Sequence, residues 1–261
     1  MMKQLLFIFF LLTCLHVYSQ QLFQLAPPLL KYQSAFFEGS TSVEIMFGQP
    51  GAEVRYTLNG KEPGVNDKLY TKPLRITKQT TLKAKAFGKN FLPSETVQAL
   101  FIHDGKKIAA MDFSKPNEKY SSSNATILFD NTGGLLNIHN GTWLGYNNDT
   151  VTITIQLQKK EKINSVLIDM LQDEASWIFL PAQMLLYYYD EQQQAFLPTH
   201  KEEFSFEKQS PKQAVAKLIR LKQQLQTDKL KLVLLPLQHI PDWHAGKGNH
   251  AWLFIDEIKA Y

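Results

Sequence analysis

Cysteine is nearly absent from this sequence. Cys14 is its only occurrence, within the first twenty residues. That excludes a disulfide-stapled fold and, beyond those residues, a thiol nucleophile, so apolar cores must hold the chain together. Charge of one sign is also scarce. Lys and Arg number 28 against 24 Asp and Glu, a net of +4 with no dense basic run, which argues against nucleic-acid binding. No apolar stretch reaches the roughly 20 residues that span a bilayer, so any membrane contact is peripheral at most. A Gly-x-Ser-x-Gly elbow is missing. A helical period of useful length is missing too, which leaves no place for a (β/α)8 barrel of about 250 residues.

The first residues carry an export pattern. Lys3 precedes the unbroken apolar run 5–12, and Val17 and Ser19 stand at −3 and −1 to a cut before Gln20. Residues 1–19 are therefore expected to be a signal peptide and the mature protein to be periplasmic, cell-surface or secreted. Lipid anchoring at Cys14 is the weaker alternative, because threonine precedes the cysteine where a lipobox wants a small residue.

Alternation with a period of two recurs through the rest. Val43, Ile45 and Phe47 alternate with Glu44 and Met46, Val54, Tyr56 and Leu58 with Arg55 and Thr57, and Leu82, Ala84 and Ala86 with Lys83 and Lys85. Asn59-Gly60 reads as a tight hairpin turn. Further on, Val151, Ile153, Ile155 and Leu157 alternate with Thr152, Thr154 and Gln156, and Leu230, Leu232 and Leu234 with Lys231 and Val233. The expectation is an all-β chain of two β-sandwiches, at 20–103 and 116–261, with a polar linker at 104–115. Segment 211–226 reads as a strand followed by a loop.

Two family resemblances sharpen this. Residues 51–63 (Gly-Ala-Glu-Val-Arg-Tyr-Thr-Leu-Asn-Gly-Lys-Glu-Pro), Tyr70, Pro73-Leu74 and 80–87 (Thr-Thr-Leu-Lys-Ala-Lys-Ala-Phe) resemble the chitobiase/β-hexosaminidase C-terminal domain. That resemblance implies an immunoglobulin-like accessory sandwich without a catalytic role. The stretches 143–146 (Trp-Leu-Gly-Tyr), 177–181 (Trp-Ile-Phe-Leu-Pro) and 240–258, with its Pro-Asp-Trp-His-Ala-Gly-Lys-Gly-Asn-His-Ala-Trp core, resemble the discoidin-like (F5/8 type C, galactose-binding-like) jelly-roll. In that order the two modules form the tail of Bacteroidetes family-20 β-N-acetylhexosaminidases, whose barrel has no counterpart here.

Candidate chemistry follows from residue types. A sugar site pairs an aromatic face with a few hydrogen-bonding side chains. Loop 241–250 offers Trp243, His244, Lys247, Asn249 and His250, and Trp143 with Tyr146 could join from a neighbouring turn. Trp177 and Trp252 sit in apolar strand settings that suit a core. The discoidin-like resemblance also implies a structural Ca2+ held by Asp130, Asn140, Thr142 and Glu257. His239, His244 and His250 match no zinc spacing. The acidic pair Asp256-Glu257 lies in a strand, where neighbours point to opposite faces and cannot easily share a substrate.

The reading that results is a non-catalytic, exported carbohydrate-binding accessory protein, whose partner is a glycan or glycoconjugate. The alternatives are a structural or interaction module of an envelope complex, beside a separate glycoside hydrolase, and an unrecognised glycoside hydrolase.

Overall fold

A computed structural model describes residues 22–261 apart from 208; the expected leader, with Cys14, lies outside the described residues. Among them, no helix is long and apolar enough to cross a membrane. The regular structure is strand, interrupted by 3-10 turns at Glu118–Tyr120 and Glu174–Ser176.

The first unit is a sandwich. One layer pairs Leu29–Lys31, Thr41–Met46 and Leu74–Ile76; the other runs in the order Phe36–Phe37, Val97–His103, Thr80–Gly88, Ala52–Thr57, Lys68–Leu69. The alternation seen in the sequence sends Val43 and Ile45 from one layer and Val54, Leu82, Ala84, Ala86 and Phe101 from the other into a single core. Each large apolar side chain so buried stabilises the fold by about 1.5–3 kcal/mol. Tyr70 ties the layers together, its hydroxyl accepting from the Ile45 N–H at 2.9 Å. The turn at Asn59-Gly60 is not a two-residue hairpin. Gly60 does adopt φ +75°, but strand Ala52–Thr57 meets its partner only at Lys68–Leu69, so the loop is far longer than the dipeptide suggested.

The second unit has seven strands: β1 (Ile108–Phe113), β2 (Leu144–Tyr146), β3 (Val151–Gln172), β4 (Gln183–Asp190), β5 (Ala195–Glu203), β6 (Gln213–Leu235) and β7 (Leu253–Ala260). Their order is β2-β7-β3-β6-β4-β5, with β1 added on β3. β1 corrects the expected linker. Ile108–Phe113 pairs with β3 from Leu157 to Ile153, because Ile108 and Met111 have a core to pack on. Segment 211–226 is likewise no strand-then-loop, since β6 runs unbroken to Leu235.

β3 and β6 pair along their whole length, with register shifts between Gln156 and Glu161 and between Ile163 and Ser165. Ile153 and Ile155 before the shifts enter the same core as Ile168 and Met170 after them. The long ribbon therefore folds over on itself and supplies both layers, and the bulges mark the fold. Both ends of the ribbon consequently lie at one end of the sandwich, where loops 173–182 and 236–252 meet. Ile178 bridges to Asp173 and to Trp252 there, and the Phe179 N–H donates to Trp252 O at 2.9 Å.

The two units share a seam. Ala35, Phe36 and Ile102 pack with Leu167 in a separate small cluster. The Ser34 hydroxyl donates to Asn131 O at 2.9 Å, and the Lys106 N–H donates to Ala260 O at 2.7 Å. Loop 131–134 comes very close: a Cβ on Gly134 would lie 2.5 Å from the Ala35 Cβ.

Candidate functional site

Loop 236–252 is pinned at its neck. The Ile240 N–H donates to Asn249 O and the Gly248 N–H to Ile240 O, each at 2.9 Å. The excursion between these bonds carries Trp243, His244 and Lys247. Trp243 is 37% exposed. Its indole N–H donates to Phe206 O at 2.6 Å, and its ring packs on Phe179 and His244 with centroids 6.3 and 5.5 Å away. One edge of the indole is thus anchored while part of its surface faces solvent. His244 Nδ1 accepts from the Gly246 N–H at 2.9 Å, which leaves Nε2 as its donor. Asn249 Nδ2 donates to Gly246 O at 3.1 Å, and Lys247 is exposed.

Trp177 packs against this loop. It closes the turn Glu174–Ser176 in the left-handed region, at φ 63° and ψ 23°, its N–H donating to Glu174 O at 2.8 Å. A bulky residue holds that conformation at a cost of about 1–2 kcal/mol, so the surroundings must enforce it. They do. Glu174 is buried, its Oε1 accepting from Gln172 Nε2 at 2.8 Å and its Oε2 from the Ser210 N–H at 2.7 Å. The Lys212 ammonium pairs with Asp173 at 2.8 Å alongside. The indole is 39% exposed and rests on Gly246, where a Cβ would come within 2.7 Å of it.

Sequence reasoning placed Trp177 in a core, and the structure corrects this. Its stretch looks like an apolar strand, and the left-handed turn that swings the ring outward leaves no signature at that position. Trp252 stays half-buried, edge-on to Tyr120. The opposite correction applies to Trp143 and Tyr146. They are 2% and 0% exposed, because 144–146 is an edge strand with every residue buried rather than a turn. The Trp143 indole N–H is spent on Leu135 O at 2.9 Å, while the Tyr146 hydroxyl is buried without a partner among the described residues. His250 turns inward. Its Nδ1 lies 2.8 Å from Ala251 O, and its Nε2 makes no hydrogen bond although Asp149 Oδ1 is 3.5 Å away. Of the expected set, loop 241–250 thus presents Trp243, His244, Lys247 and Asn249, and Trp177 joins them.

The calcium expectation does not fit the donors. Calcium asks for six to eight converging oxygens. Asn140 Oδ1 is taken by the N–H and hydroxyl of its own neighbour Thr142, at 3.2 and 3.0 Å. Asp130 accepts from the Thr132 N–H and from Asn124 Nδ2, at 2.9 and 2.8 Å. Glu257 Oε1 receives the Lys259 ammonium, which also donates to Asn131 Oδ1 at 2.6 Å. One of the expected ligands, Glu257, is thus already paired with a protein cation. Among the described residues, no group of three or more His, Cys, Asp or Glu side chains is placed to hold an ion.

Lys259 belongs to a buried acidic cluster at the seam. Asp169, Asp256 and Glu257 are each at most 1% exposed. Burial pushes Asp169 up to about 8, with repulsion from Glu257 adding to it. Burial and then Asp169 push Asp256 up to about 9, against one hydrogen bond from the Gly134 N–H. Burial pushes Glu257 up to about 7 against the pull of Lys259. Buried in this way, Asp256 and Glu257 face no open surface.

Residues 32–99 match the family model of the chitobiase/beta-hexosaminidase C-terminal domain. Among curated proteins nothing matches the chain. Among solved structures, the chain is similar to a GH29 fucosidase from Ruminococcus gnavus in complex with fucose, at 13% identity and TM-score 0.37, over 58% of this chain and 24% of that one. It is similar to the family 32 carbohydrate-binding module from Streptococcus pneumoniae EndoD, at 12% identity and TM-score 0.40, over 60% and 96%. It is also similar to CBM32 of AlyQ in complex with 4,5-unsaturated mannuronic acid, at 12% identity and TM-score 0.39, over 61% and 98%.

Proposed function

We propose that the loop end of the second sandwich binds carbohydrate, and that the protein is an exported, non-catalytic accessory module. One observation carries the reading: two tryptophans, Trp243 within the pinned loop and Trp177 packed against its Gly246, are each more than a third exposed. Indole faces match the apolar C–H faces of a pyranose, and Lys247, Asn249 and the Nε2 of His244 supply donors for its hydroxyls. The left-handed backbone of Trp177 supports a role in binding, because strain of this kind concentrates where a side chain must be presented. The leader pattern supports export, and the burial of Asp256 and Glu257 supports the absence of hydrolysis by that pair.

A glycan array with wild type, Trp177→Ala and Trp243→Ala tests this, with terminal N-acetylglucosamine and galactose-type sugars as the leading ligands. Specific signal in the wild type, falling about tenfold or more in both variants, is the expected result. Wild-type signal no higher than that of the variants would remove the sugar-binding reading. It would leave the spacer role that the Trp243 anchor on Phe206 also suits.

A further inference from the structure

The seam between the units holds a cleft that the loop site does not use. It encloses about 600 Å³ and is lined by Tyr32, Phe36 and Leu100 from the first unit and by Leu136, Asp169 and Gln213 from the second. Most of this wall is apolar or aromatic. Its polar members are Thr81, Gln98, Lys212, Gln213 and Asp169, and the Lys212 ammonium is already paired with Asp173.

Asp169 faces the cleft for a reason of strand geometry. Its neighbours Ile168 and Met170 enter the sandwich core, so it must point out of the back of β3, toward the first unit. It is 1% exposed, and its Oδ2 accepts no hydrogen bond among the described residues. The pairing of β3 with β7 slips at this point, between Ile168 and Met170, so two residues of β7 oppose one of β3. The bulge sets Asp256 and Glu257 beside Asp169, and Asp256 Oδ1 and Glu257 Oε2 also lack partners. Lys259 answers Glu257 alone. Buried polar groups are almost always satisfied, so the orphaned Asp169 oxygen in the cleft wall needs an explanation.

The chemistry of the missing partner can be narrowed. An anion would meet the Asp169 carboxyl with two more carboxyls buried behind it. A neutral hydroxyl offers one donor and no charge. A primary ammonium offers three donors and a positive charge for Asp169, which pairs with no cation among the described residues, and aromatic rings favour a cation or its adjacent carbons. We propose that this cleft binds a small organic ammonium, an amino sugar or aryl-alkyl amine. Asp169 accepts from its nitrogen, and Tyr32 and Phe36 cover its carbon frame. This site is separate from the tryptophan loop and stands or falls independently of it.

The test is calorimetric titration of the full protein with glucosamine and with phenethylamine. Their N-acetylated counterparts serve as uncharged controls, titrated in the Trp177→Ala background so that N-acetylglucosamine bound at the tryptophan loop does not count. Two variants accompany the wild type. Asp169→Asn removes the charge, and Leu136→Trp fills the mouth of the cleft at a residue that is 44% exposed, so folding is not at stake there. The expected result is saturable binding of at least one amine, no binding of its acetylated form, and a loss of about tenfold or more in both variants. Trp177→Ala is expected to leave that binding unchanged. Failure of both amines to bind at millimolar concentration overturns the proposal. So does equal binding of the acetylated controls, or undiminished binding in Leu136→Trp.

Discussion

The indole of Trp177 lies on the backbone of Gly246, with no room between them for a methyl group. Gly246→Ala must therefore push the ring away or displace the loop. Glycan affinity is expected to fall about tenfold, with the fold intact, because Gly246 sits in a loop rather than a strand. Tryptophan fluorescence with a parallel glycan titration measures both. Unchanged affinity together with an unchanged spectrum would show that the packing of Trp177 on this glycine does not matter for binding.

The buried pair of Lys259 and Glu257 gives a second expectation. Lys259→Met leaves Glu257 uncompensated in a dry setting, and breaking such a pair costs about 3–5 kcal/mol. Chemical denaturation should register that loss. Because Lys259 already pairs with Glu257, EDTA is expected to leave the wild-type melting temperature unchanged, and a clear drop would restore calcium to consideration.

The acidic cluster makes stability depend on pH in an unusual direction. Asp169, Asp256 and Glu257 are raised to about 8, about 9 and about 7 in the folded protein. Unfolded carboxyls titrate near pH 4. The folded state therefore holds protons that the unfolded chain has released. Their stabilisation is complete below about pH 4 and is lost progressively as pH rises through the three folded values. Thermal melts should show a falling melting temperature from about pH 5 to about pH 9. Asp256→Asn, which cannot ionise, should flatten that slope, and a melting temperature that rises across this window would contradict the assignment.

Tyr146 offers a fourth check. Its hydroxyl is fully buried without a partner, a loss of hydration with no return among the described residues. Tyr146→Phe is expected to be neutral or to stabilise by up to about 2 kcal/mol. Trp143→Ala should cost about 3–5 kcal/mol, since it empties a core site and frees Leu135 O. Equal effects in the two denaturation curves would argue against this division.

Much of the architecture was legible because alternation is a direct record of which face is buried. Val151 to Leu157 and Leu230 to Leu234 declared their strands, and residues 51–63 and 80–87 declared the first sandwich. Long-range events were not legible. Ile108–Phe113 looked like a linker because its partner strand begins more than forty positions later in the sequence. Trp143 and Trp177 exchanged roles for the same reason. Strand burial of one and a left-handed turn under the other are set by tertiary neighbours rather than by flanking residues. Lys259 stands two positions from Glu257 in the sequence, but the pair is enclosed only because loop 130–134 closes over both, Asn131 bonding to each.

The doubled-over ribbon has one more implication. Val151–Gln172 and Gln213–Leu235 belong to both layers, so neither layer can breathe without disturbing the other. The same ribbon that turns at the bend around Glu161 and Ser165 ends at Gln172, five residues before Trp177, so the backbone that carries this indole is anchored by pairing that continues through both layers.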